Sequence, residues 1–195
     1  LTLFEIMVAK TYDEEKKFDM QVEWLKVESD LEEVGYDGVS PSTILQLLAL
    51  VLAGEAKRAT VLGLDKMKVI ETWPKAVSAI KSAVDHFRTA YRIPVSALLP
   101  YDSLIVPFAY WFFIKRHEPS GDYHLRMRQF FWRSALSYRY SSAVESKLAA
   151  DKRAIDDMIA GGAGTWDIPV NIGGTEGLIG TNFATGNSLC KGILC

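Results

Sequence analysis

The sequence has little with which to build a fold held by covalent links or metals. Only two cysteines occur, Cys190 and Cys195, both near the far end, and only three histidines. Without a second cysteine pair or a histidine pair they complete neither a disulfide framework nor a tetrahedral zinc site, so a reducing, cytoplasmic setting is expected. Long apolar runs are missing too. The longest, LIVPFAYWFFI over residues 104–114, carries Pro107 and falls short of the ~20 residues a membrane-spanning helix needs. It reads as a buried helix, and no membrane partner is expected. No basic leader followed by a cleavage site opens the chain. An excess of charge of one sign is also lacking: 22 Lys and Arg against 24 Asp and Glu leave a formal net charge of −2.

What is present is a globular composition, 49% hydrophobic and 24% charged, which excludes a disordered chain. A chain of 195 residues buries roughly two thirds or more of its unfolded surface, so a core can form without disulfides. The charge is unevenly spread. Residues 13–37 are acidic, whereas residues 115–139 carry Lys115, Arg116, Arg126, Arg128, Arg133 and Arg139 against Glu118 and Asp122. Such polarity serves either internal complementarity or an anion-binding face.

Helical periodicity dominates, and the expected fold class is all-α, a bundle-like array of helices. Ser40-Pro41-Ser42 punctuates the chain before a helix apolar on nearly every side (44–53). Thr72-Trp73-Pro74 is expected to start a helix, since proline is tolerated in the first turn. Val77, Ile80, Val84, Phe87 and Tyr91 then recur at spacings of 3, 4, 3 and 4, an amphipathic stripe. Asp102 or Ser103 is expected to cap the next helix, with a bend at Pro107. Another helix is expected over 122–137, burying Leu125, Phe131, Trp132, Ala135 and Leu136. Ser142 and Glu145 match a capping box, in which a serine hydroxyl and a glutamate satisfy orphan amides reciprocally. Val144, Leu148, Ile155 and Ile159 mark the helix that follows.

The helical domain is expected over 1–160. Residues 161–195 form a glycine-rich irregular segment with a cut-off terminal helix packed on the same domain. A loop or lid is expected over 161–187, with a short strand over 167–172 at most. The GGAG stretch lacks the lysine and serine or threonine of a phosphate loop. The opening LTLFEIMVAK shows no capping residue before it and the closing SLCKGILC no stop signal after it, so the chain is expected to be a piece of a longer protein.

Catalytic chemistry is not apparent. His86 lies off the main stripe of its helix, a surface or core-edge histidine. His117 and His124 are not at the spacing that places two imidazoles on one metal. Asp151, Asp156 and Asp157 stand among Lys147, Lys152 and Arg153, which reads as a solvated face with i, i+4 pairs. Trp24, Trp73, Trp111 and Trp132 read as core anchors. No nucleophile–base pair or paired carboxylates stand out, and no catalytic residue, metal ligand or cofactor is assigned.

The basic and aromatic cluster remains. Arginine offers forked donors suited to phosphate, and tyrosine can stack on a base. Arg128, Arg133, Arg139, Tyr140 and Ser141 are the candidate contacts to nucleic acid or to a partner domain. The alternative is that the arginines serve a helix C-terminus and the serines cap the next helix.

The phrases LTLFEIMVAKTYD, FDMQVEW, LLPYDSLIVPFAYWFF and FFWRSALSYRYSSAVESKLAADKRAID resemble, in order, the family of large bacterial proteins related to the GmrSD modification-dependent restriction endonucleases. The similarity is to the helical later part of its N-terminal domain of unknown function, over residues 1–157 and more weakly to 195. The resemblance implies a role in defence against foreign DNA. It also implies a preceding ParB-like segment with an Asp-Gly-Gln-Gln-Arg motif, linked to nucleotide hydrolysis, and often a following HNH-type nuclease domain. Neither motif occurs in this chain, so nucleotide and divalent metal are implied for the parent alone. Trp132, Arg133, Arg139, Tyr140 and Ser141 map onto the family's phrases without a chemistry assigned to them. The expected partners are those missing domains, DNA, and a second copy of the chain. A structural or protein-interaction module without nucleic-acid contact is the rival expectation.

Overall fold

Two stretches of the sequence have almost no polar residue, and they form the centre of the molecule. The computed structural model describes residues 1–164, 166, 168–170 and 191. Among these the chain is all-α: α1 (Leu3–Thr11), α2 (Met20–Glu33), α3 (Pro41–Ala53), α4 (Arg58–Gly63), α5 (Lys66–Ala90), α6 (Ile105–Lys115), α7 (Asp122–Leu136) and α8 (Val144–Ile159). The described residues contain no strand, only an isolated bridge between Asp13 and Phe18. The apolar helices α3 and α6 pack together. The long α5 lies along α6 and also touches α3, α8 covers both α6 and α3, and α1 packs on α3 and α5. In α6 every residue from Ile105 to Phe113 is buried. Each large side chain so buried contributes about 1.5–3 kcal/mol, which is how so short a helix anchors the array.

Residues 171–190 and 192–195 lie outside the described residues. With them fall most of the expected loop or lid, most of the terminal helix and both cysteines, whereas residues 168–170 of the short strand expected over 167–172 are described and are not in a strand. The described part of the segment packs on the body. Gly164 and Ile168 are buried, and the Trp166 ring stacks on Phe130 at 4.6 Å.

Aromatic rings join α5, α6 and α7. Phe87 meets Phe108 at 4.7 Å between centroids, and Tyr91 meets Phe131 at 4.4 Å. The expected stripe is present, with Ile80, Val84, Phe87 and Tyr91 buried. The helix that carries it starts earlier than expected. Pro74 lies inside α5, which begins at Lys66 where the Asp65 carboxylate accepts from the Lys68 amide at 2.9 Å. An interior proline removes one helix hydrogen bond and costs about 3 kcal/mol in an isolated helix. Burial of Val69, Trp73 and Ala76 on either side of it offsets that loss. Pro107 is the third residue of α6, in the first turn where an amide has no helical acceptor, so no bend is required there. Neither Asp102 nor Ser103 caps α6 with its side chain. They form a 3-10 turn (Asp102–Leu104) that leads into the helix. Leu125 was expected inside but is 52% exposed.

The capping boxes are exchanged. Ser142 does not cap α8: its neighbour Ala143 occupies the N-cap position with φ 50°, and no side chain bonds there. The box forms instead at the start of the chain, where the Glu5 amide donates to the Thr2 hydroxyl at 3.2 Å and the Thr2 amide donates to the Glu5 carboxylate at 2.7 Å. α1 therefore has the capping residue that the sequence reading denied it.

Candidate nucleic-acid interface

Between α7 and α8 the chain makes a tight corner. Tyr138 and Ala143 both take left-handed backbone conformations, which non-glycine residues adopt at some cost, so neighbouring contacts must hold them. Those contacts centre on Asp151. Its carboxylate, on the inward side of α8, is fully buried. One oxygen binds a terminal guanidinium nitrogen of Arg139. The other accepts from the Tyr140 hydroxyl at 2.6 Å and lies 3.5 Å from Arg139 Nε. The Lys147 ammonium donates to the Arg139 carbonyl, and the Ser141 hydroxyl donates to the Tyr138 carbonyl at 2.7 Å. These contacts tie the corner to the body of α8, whose N-cap position falls on Ala143 rather than Ser142.

Burial pushes the pKa of Asp151 up, and the Arg139 guanidinium opposes it, followed by the Tyr140 hydroxyl. Burial, reinforced by the Asp151 charge, carries the Tyr140 hydroxyl well above its ordinary range. Tyr140 is 5% exposed, and its ring meets Tyr101 edge-on at 5.8 Å. A base cannot stack on such a ring. The solvated face expected around Asp151 is thus corrected: Asp151 is an internal acceptor, whereas Asp157 is exposed. Asp156 accepts from the Tyr110 hydroxyl at 2.7 Å and from Lys152 at 2.5 Å.

The other expected contacts separate. Arg126, Gln129 and Arg133 follow at i, i+3 and i+7, one face of α7. With Phe130, Gly164 and Trp166 they line a cleft of about 220 Å³. Arg126 spends a terminal nitrogen on the carbonyls of Gly162, at 2.9 Å, and Ala163. Arg133 is exposed, and a terminal guanidinium nitrogen donates to the Ile168 carbonyl at 3.5 Å. Arg128, also exposed, points elsewhere. Its charge acts on the Tyr91 hydroxyl, partly opposing the upward shift that burial imposes there. Among the described residues no acidic side chain lines the cleft.

Arg126, Gln129 and Trp166 were missed as lining residues. The spacing of Arg126 and Arg133 was visible, but their pairing with Trp166 depends on how the segment after α8 folds back. His86, expected at an edge, is 2% exposed between Tyr91, Phe108 and Phe112. Among the described residues no group of three His, Cys, Asp or Glu side chains is placed to hold a metal ion. No helix among them is long and apolar enough to cross a membrane. Compared with known proteins, the chain matches no family model, no curated protein and no solved structure.

Proposed function

We propose that this chain is a helical scaffold domain of a DNA-defence protein of the restriction type, and that the α7 cleft is its contact with DNA phosphates. The family resemblance supplies the first half of that reading. The observation supporting the second is a cleft with two arginines and a glutamine on its walls and no carboxylate among its described lining. Arg133 has the exposed guanidinium and would bind phosphate through its forked donors, while Arg126 holds the wall in place. Arg139 and Tyr140 serve the scaffold rather than the DNA.

Fluorescence anisotropy with duplex DNA tests this. Binding is expected to weaken steeply with salt, because each neutralised phosphate releases counterions. Arg133→Gln should lower the slope of log affinity against log salt by about 1, and Arg128→Gln should leave it unchanged. Absence of binding even at low salt would remove the DNA contact and leave the rival, a scaffold that meets only protein. The internally satisfied Arg139–Asp151–Tyr140 knot favours that rival for the α7–α8 corner itself.

A further inference from the structure

A second pair of cations lies where α5 runs along α6. Lys75, Ser78 and Ser82 succeed one another at i, i+3 and i+7 on α5, and Phe112 and Arg116 stand one turn apart at the end of α6. Together with Pro74 and Ala79 they line an open cleft of about 470 Å³. It shares no lining residue with the α7 cleft.

Among the described residues no carboxylate pairs with these cations. The Lys75 ammonium sits 3.9 Å from the centroid of the Phe113 ring, and neither it nor Arg116 has an ion pair among the described residues. Lys81, six positions further along α5, pairs with Asp30. Burial holds the Lys75 pKa below its ordinary value, and the charge that acts on it is the like-signed Arg116. Arg116 closes α6 in a left-handed conformation, φ 60°, with its amide donating to the Phe112 carbonyl at 3.0 Å. The α6 dipole accounts for a cation at that terminus. It does not account for Lys75, which stands in the interior of α5.

We propose that this cleft binds a small phosphomonoester. Lys75 and Arg116 neutralise the phosphate, the Ser78 and Ser82 hydroxyls donate to its remaining oxygens, and Phe112 and Pro74 wall its organic part. Four donor groups spread over two helices suit the three strong acceptor oxygens of a phosphate better than the two oxygens of one carboxylate. A monoester carries about two negative charges near neutral pH, matching two uncompensated cations. A backbone phosphate of DNA carries one. The proposal stands independently of the DNA reading.

The test is titration of the whole chain with phenyl phosphate, following the backbone amide signals of Ser78, Ser82 and Arg116 by NMR. Saturable shifts are expected, competed by inorganic phosphate. Affinity should fall about tenfold in Lys75→Gln and in Arg116→Gln, as loss of a charge-assisted hydrogen bond implies, and stay unchanged in Lys81→Gln. No saturable shift, or equal affinity in Lys75→Gln, overturns the site. Vesicles of phosphatidylcholine with phosphatidic acid present the same group from a membrane. Vesicle binding without a response to phenyl phosphate overturns the soluble ligand. A short DNA duplex that shifts these three amides overturns the monoester assignment, whereas one that shifts only α7 amides supports two separate sites.

Discussion

Removing the Arg139 side chain would strand the Asp151 carboxylate in a fully buried position. Arg139→Ala is expected to lower stability by about 3–5 kcal/mol, while the double change Arg139→Met with Asp151→Leu loses less, because it removes both charges together. Urea denaturation of the two variants compares them directly. His86 makes a second prediction at this scale. Burial depresses its pKa from an unfolded value of 6.5, aided by His124 and opposed by the Glu118 carboxylate 3.6 Å from Nδ1. The unfolded chain therefore takes up the proton first as pH falls. The stability due to a neutral His86 is complete above about pH 6.5 and is lost on acidification below it. Denaturation midpoints at about pH 7.5 and 5.5 should differ more in the wild chain than in His86→Phe. The burial of Asp151 was hard to read for a physical reason. Asp151 occupies a stripe position with Leu148, Ile155 and Met158, all buried, yet a charged letter at such a position suggests water.

Helix ends show how far a local pattern carries. Thr2-x-x-Glu5 and Ser142-x-x-Glu145 are equivalent as sequence, but only the first becomes a box. Thr2→Ala is expected to cost about 1 kcal/mol, and Ser142→Ala less than about 0.5 kcal/mol, as for an ordinary surface change. Thermal melts of the two variants separate them. At the second, the corner is held by the Asp151 contacts across α7 and α8, which no window of four residues contains. α5 teaches the same thing in reverse. Its stripe was legible from Val77 onward, because a 3–4 repeat is a property of the helix alone. Its true start was not, because whether Pro74 ends the helix depends on the packing of Trp73 and Ala76 against the rest of the array.

At the scale of the molecule, the all-α architecture follows from composition and period. α3 and α6 had to be central because neither has a polar face to show to water. The two cation clefts were not legible in this way. Each joins side chains from elements distant in sequence, Arg133 with Trp166 in one and Lys75 with Arg116 in the other. Four of the six cations of residues 115–139 thus divide among three places: Arg139 inside the α7–α8 corner, Arg126 and Arg133 on the α7 cleft, and Arg116 beside α5.

The buried pair also constrains descent. A lineage that changes Arg139 first must pass through a chain with a buried carboxylate that has lost its counter-ion, and one that changes Asp151 first leaves a guanidinium without its own. Both intermediates are expected to be less stable than the paired chain. Relatives of this chain should therefore inherit the two residues as a unit, present together or replaced together, while Arg128 on the open flank of α7 drifts freely.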